Sequence, residues 1–211
     1  AKVSLEDKDD DEVTKIEVFT EDYENEDKDE LDGIEIEKVT FDDSGDEKKG
    51  SITIKGKKYT IDEDEMDDME VEITDGDSDI EDFENLYNAY DDGKKLKVDV
   101  VLDDGDIIEI TGYVCYVTGR LVDFEDDELT IEGKDSETKA SYTFEDPDDI
   151  SMKDFTGKSF ETLEDLIDWL KDQDEDDKLD LYDEQKFTLK FEVDEDGMID
   201  SDITGKYEKD K

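Results

Sequence analysis

Alternation of apolar and polar residues runs through most of the chain and predicts strands. Ile52, Ile54, Tyr59 and Ile61 alternate with polar residues around Lys55-Gly56-Lys57-Lys58, the pattern of a β-hairpin. Leu96, Val98, Val100 and Leu102 alternate likewise and end at the turn Asp103-Asp104-Gly105. Phe187, Leu189, Phe191 and Val193 repeat the rhythm before Asp194-Glu195-Asp196-Gly197. Each reads as a half-buried strand with an acidic outer face. Further strands are expected near residues 13–20, 34–41, 51–55, 58–61 and 69–74. A helical period takes over twice. Ile80, Phe83, Leu86, Tyr87 and Tyr90 form one stripe, preceded by the capping pattern Ser78-x-x-Glu81 and followed by Gly93. Leu163, Leu166, Ile167 and Leu170 form the other, with Lys171 expected in its last turn.

These patterns predict an α+β protein, mostly antiparallel β with two short helices. Three segments follow from shifts of pattern: a β-rich region over 1–92 ending in a helix, an all-β region over 93–152, and helix plus hairpin over 153–211. The middle one runs KLKVDVVLDDGDIIEITGYVCYV, then LVDFEDDELTIEG, then SYTFEDPDDI, with a 3₁₀ turn expected at Asp146-Pro147-Asp148-Asp149. That order resembles the small SH3-like and Sm-like barrels over roughly 94–152. The resemblance implies a closed barrel. RNA-binding barrels of that kind need basic or base-stacking loops, and these loops are acidic, so RNA binding is not implied.

Composition adds a strong constraint. The 211 residues hold 75 Asp+Glu against 25 Lys+Arg, a formal charge of −50. Only 32% are hydrophobic, which borders on disorder, but 9 Tyr, 9 Phe and one Trp at regular spacing argue for a packed fold. The acid is not a tail: net charge is −27 over 1–92, −11 over 93–152 and −12 over 153–211. Direct contact with nucleic acid or an anionic membrane is strongly disfavoured. Absence of histidine removes the commonest general base and zinc ligand, and one cysteine removes an intramolecular disulfide. The single Arg120 cannot form an arginine cluster. No apolar run approaches the length of a membrane span and no signal peptide is visible, so a cytoplasmic location is expected.

Few residues stand out as chemistry. With so many carboxylates, spacing cannot select an acid/base pair, and Glu132-Gly-Lys134 or Glu47-Lys-Lys49 are matches expected by chance. Asp172-x-Asp174-x-Asp176, with Asp183 at the twelfth position, follows a helix as an EF-hand loop does. Asp177 replaces its glycine, however, and Asp183 replaces its bidentate Glu. The stretch Glu192-x-Asp194-x-Asp196-Gly197 is a poorer match, with Ile203 twelfth. Lys48, Lys49, Lys55, Lys57 and Lys58 crowd one hairpin and read as neutralising nearby carboxylates, with a partner contact as the alternative. Trp169 and Cys115 read as core residues, Cys115 as a reduced thiol. No enzyme activity and no cofactor are expected.

Four explanations compete for the charge. Halophilic surfaces usually lack lysine, whereas lysine outnumbers arginine 24 to 1 here, a bias typical of AT-rich coding. A calcium buffer needs intact carboxylate loops, and a histone-type chaperone concentrates its acid in a tail. The fourth is DNA mimicry. Fifty charges correspond to roughly 25 base pairs, or about 85 Å of duplex, while a 211-residue globule has a radius of gyration of about 17 Å. Small size, extreme acid content and acid spread over a folded body resemble the phage-encoded acidic inhibitors. These include the overcome-classical-restriction protein, uracil-DNA glycosylase inhibitors, ArdA-type antirestriction proteins, some anti-CRISPRs and the acidic early host-takeover proteins of Bacillus phages. The resemblance implies a non-enzymatic inhibitor that occupies the basic cleft of host DNA-binding proteins such as RNA polymerase, restriction or nucleoid proteins. It carries no residue roles, because no diagnostic motif is shared. The partner-facing residues expected from acid density are Asp62, Glu63, Asp64, Glu65, Asp67 and Asp68, then Asp75, Asp77 and Asp79, then Asp172, Asp174, Glu175, Asp176 and Asp177. Monomer and homodimer both fit. The alternative is a Ca²⁺-binding regulator, and a structural virion protein comes third.

Overall fold

Most of the alternating segments form strands of one sheet built around a very long strand. A computed structural model describes residues 2–4, 17–19, 28–45, 47–125, 127–134, 138–175, 179–181 and 185–209. Strands β1 (Lys2–Ser4) and β2 (Glu17–Phe19) pair with each other. After β3 (Lys28–Glu35) come β4 (Lys38–Asp42), β5 (Lys49–Ile54) and β6 (Lys57–Asp62), an antiparallel three-stranded sheet. The expected single strand over 34–41 is two. The Ile36 N–H bonds to Leu96 O at 3.3 Å and the Glu37 N–H to Thr53 O at 3.0 Å, so the chain changes sheets there. The expected 55–58 turn forms, with Lys55 and Gly56 at φ 48° and 75°, the left-handed pair a two-residue hairpin needs.

Helix α1 (Glu63–Asp68) follows β6, then β7 (Glu70–Asp75), β8 (Ser78–Ile80) and α2 (Phe83–Asp91). The capping pattern expected at Ser78-x-x-Glu81 is replaced. Ser78 is in a hairpin with Asp75, and Asp82 caps the helix by accepting the Asn85 N–H at 2.7 Å. Strands β9 (Lys95–Asp103), β10 (Asp106–Phe124), β11 (Glu128–Glu132) and β12 (Lys139–Thr143) precede β13 (Met152–Thr156), α3 (Leu163–Glu175), β14 (Gln185–Glu192) and β15 (Ile203–Lys209). Residues 147–149 form a turn, in which the Asp149 N–H bonds to Asp146 O at 3.2 Å. Helix α3 runs past Lys171 to Glu175, so Lys171 is not in its last turn; neither glycine nor proline occurs between them to stop it.

Ten strands share one sheet in the order β12-β11-β10-β14-β15-β13, with β9 and β7 also on β10, β3 on β9 and β8 on β7. Most pairs are antiparallel; β7–β10 and β13–β15 are parallel. Tyr116 pairs with Lys95 of β9 and with Glu192 of β14, so those strands lie on opposite edges of β10. The result is a mixed α+β fold with a curled half-barrel sheet. The closed SH3-like or Sm-like barrel expected over 94–152 does not form. β10 has 19 residues, and β7 and β14, from outside that segment, occupy the edge opposite β9, where a barrel would have to close on itself. The curl is held by hydrogen bonds from the Asp77 N–H to Ser141 O at 3.0 Å and from the Ser141 N–H to Asp77 Oδ1 at 2.7 Å.

One hydrophobic cluster includes Ile52, Leu86, Val98, Ile110, Leu121 and Phe187. Trp169 is half-buried beside it, with its ring 5.7 Å from Phe187 and 5.8 Å from Tyr207. Cys115 sits at the β10 bulge between Val114 and Tyr116 and is half-buried instead of a full core residue. Burial raises its thiol pKa. Among the described residues no helix is long and apolar enough to cross a membrane.

Candidate partner-facing surface

Helix α1 is almost wholly acidic and buries no residue. Asp62 and Glu65 form a reciprocal capping box: Asp62 Oδ1 accepts the Glu65 N–H at 3.0 Å, and Glu65 Oε2 accepts the Asp62 N–H at 2.8 Å. Glu63, Asp64 and Glu65 in the first turn suit the positive end of the helix dipole. Asp67 and Asp68 sit at the wrong end for stability and are exposed. Buried Met69 anchors the exit.

The other acids expected from density separate. Asp77 and Asp79 are exposed on the β7–β8 turn and strand. Asp75 is not part of that surface. It is buried, ion-paired to Lys94 Nζ, and accepts a hydrogen bond from the Tyr142 hydroxyl. Burial, then Asp75, pushes the Tyr142 pKa far up. Asp172 and Asp174 are exposed on the last turn of α3, on helical backbone that cannot curl as an EF-hand loop does. Glu175 ends that helix, and Asp176, Asp177 and Asp183 lie outside the described residues. Asp194 Oδ1 accepts the N–H of Asp196 at 3.0 Å and of Met198 at 2.9 Å, closing a local turn. Among the described residues no group of three or more acidic or cysteine side chains is placed to hold a metal.

Strand register assembles an acidic surface that residue density did not flag. On the outward face of the sheet, Glu70 of β7 lies beside Glu109 of β10, which lies beside Val101 of β9 and then Glu30 of β3. The next row is Glu72, Thr111 and Asp99. Their neighbours Val71, Ile73, Ile110, Val100 and Val98 point into the core. The alternation was visible in sequence. Which strands become neighbours was not, and adjacency is what concentrates the charge.

Farther along β10 the same face carries bases and hydroxyls. Thr118 lies opposite Lys190, and Arg120 lies opposite Thr188, itself opposite Lys206. Arg120 pairs with buried Glu132, which also lies 3.5 Å from Lys139 Nζ. A cleft of about 880 Å³ opens over this region, lined by Thr118, Arg120, Thr188, Lys134, Thr138 and the end of α2 at Asn88 and Asp92. On the three-stranded sheet, Lys48 lies 3.9 Å from Glu84 and Lys49 3.9 Å from Glu47, while Lys57 lies over the Tyr59 ring at 4.3 Å. Neutralisation therefore accounts for the first two lysines of the cluster and not for the hairpin tip.

No protein-family model, curated protein or solved structure significantly matches this chain.

Proposed function

We propose that the protein is a non-enzymatic DNA mimic that inhibits host DNA-binding proteins by occupying their basic clefts, with RNA polymerase, restriction or nucleoid proteins as the target class. A phage host-takeover role and a host-cytoplasmic location belong to the same reading. The observation that carries it is the pair of outward rows Glu70–Glu109–Val101–Glu30 and Glu72–Thr111–Asp99. Alternate residues on a strand are about 6.7 Å apart and neighbouring strands about 4.8 Å apart. Glu70, Glu72 and Glu109 therefore place three carboxylates in a patch about 6.7 Å long and 4.8 Å wide, a density of the same order as the phosphates of duplex DNA. Like charges set directly opposite one another cost stability, as Glu70 and Glu109 do. A fold under selection for stability alone would place a lysine there, and the chain has 24 to use.

Asp64, Asp67 and Asp68 of α1, just before β7, and Asp79, opposite Thr74 of β7, add exposed acid on the flanking elements. A basic cleft gains by releasing its own bound anions and by long-range steering. The test is competition on purified bacterial RNA polymerase and on a nucleoid protein. Duplex DNA should displace the protein, and binding should weaken steeply with salt. The block variant E70Q/E72Q/D99N/E109Q should bind at least tenfold more weakly with a shallower salt slope. Binding that DNA does not displace, or that the block variant retains in full, would end this reading. Calorimetry with Ca²⁺ giving a few tight sites and a folding change would replace it with the divalent-ion regulator.

A further inference from the structure

The cleft over the second half of β10 gathers cations and hydroxyls in a chain whose every segment is net acidic. Thr118, Arg120 and Thr188 line it, and register sets Lys190 opposite Thr118 and Lys206 opposite Thr188, beside that lining. Hydroxyls alternate with cations there, the donor set that phosphate oxygens accept from. Arg120 is the only arginine among 25 basic residues, so a coding bias that uses lysine elsewhere has been overridden at one position. A guanidinium offers a planar fork of donors that an ammonium lacks.

The carboxylates facing the cleft are taken up by the protein. Buried Glu132 accepts from Arg120 and lies 3.5 Å from Lys139 Nζ. Buried Asp92 accepts the Lys134 N–H at 2.7 Å and the Thr138 hydroxyl. Both act as positioning residues that hold donors around the opening. Lys206 pairs with Glu208 at 2.8 Å and Lys134 with Asp91 at 2.9 Å, exposed contacts that a ligand can outcompete. Lys190 is exposed with no carboxylate within 4.0 Å among the described residues.

We infer that this cleft is a binding site for a compact phosphate-bearing small molecule, with Arg120 and Lys134 of its lining and Lys190 and Lys206 on the strand positions beside it as cations, and Thr118 and Thr188 as hydroxyl donors. The size of the ligand follows from the charge of the rest of the molecule. A nucleic acid or a second copy would set one polyanion against another. A small anion meets the local field, because carboxylates more than about 8 Å away are screened at physiological ionic strength. The inference is independent of DNA mimicry and does not require it.

The probe is inorganic pyrophosphate, titrated into the ¹⁵N-labelled full chain at 0.15 M KCl, with citrate as the parallel arm. Saturable shifts confined to the amides of Thr118–Arg120, Lys134, Thr188–Lys190 and Lys206, stronger for pyrophosphate than for citrate, are expected. Arg120→Lys should weaken binding about tenfold by losing the fork. Lys190→Glu, at an exposed position that leaves the fold intact, should weaken it at least as much. Equal or tighter citrate binding would overturn the phosphate assignment. Linear, unsaturable shifts, shifts centred on the Lys55–Lys58 hairpin, or pyrophosphate binding unchanged in Lys190→Glu would overturn the site.

Discussion

At the scale of single residues, the buried Asp75–Lys94–Tyr142 network shows how strongly context overrides residue type. Asp75 looks in sequence like any of its acidic neighbours, yet its carboxylate is enclosed with an ammonium and a phenol. Removing Lys94 would leave a buried charge uncompensated, so Lys94→Ala should destabilise the fold by about 3–5 kcal/mol in urea denaturation. Tyr142 has a pH consequence. Its pKa is raised in the fold above the ordinary value of 10.0, so the protonated phenol is the form the fold favours. Stability from this group is fully present below pH 10 and falls as pH rises beyond it. Phenolate absorbance should show Tyr142 ionising only together with unfolding; a titration of all nine tyrosines within the native state would contradict it.

Elements were legible where a local period was strong and uninterrupted. The stripe on α3, the 55–58 hairpin and the alternation on β9 and β14 form, and the stripe on α2 forms from Phe83 onward, while Ile80, expected on it, belongs to β8. Helix α1 has no apolar stripe to read, since its six residues are acidic apart from Met66. Its signal was the Asp62-x-x-Glu65 capping box, hidden among acids with the same spacing. The start of α2 shows the opposite error: Ser78 and Glu81 matched a cap, but pairing with β7 claimed Ser78 for a strand. Asp82 should therefore carry the cap, and Asp82→Ala should cost about 1 kcal/mol in thermal or urea melts, while Ser78→Ala should not act through the helix.

At the scale of the whole molecule, self-repulsion sets the response to salt. Screening weakens repulsion between exposed carboxylates more than it weakens the buried core contacts, so the melting temperature should rise between low and about 0.3 M salt. A flat profile would count against crowded surface charge. The outward rows give a sharper form of the same argument. Neutralising Glu70 and Glu109 together should stabilise the fold by about 0.2–1 kcal/mol while weakening binding to a basic cleft. A loss of both stability and binding would instead mark the rows as structural.

Sequence by itself determined that the protein is folded α+β with acid on its outer faces, because alternation and helical periods are local and survive any arrangement of neighbours. It also excluded histidine chemistry and a disulfide within these 211 residues, since those depend on which residues exist. Tertiary structure alone decided that β10 is shared between two halves of a sheet instead of closing a small barrel. It also withdrew Asp75 from the surface and brought Glu30, Glu70, Glu72, Asp99 and Glu109 onto one face that carries Arg120 and Lys190 farther along. Those outcomes depend on pairings between residues tens of positions apart. A period along the chain says which way a side chain points; it does not say what lies beside it.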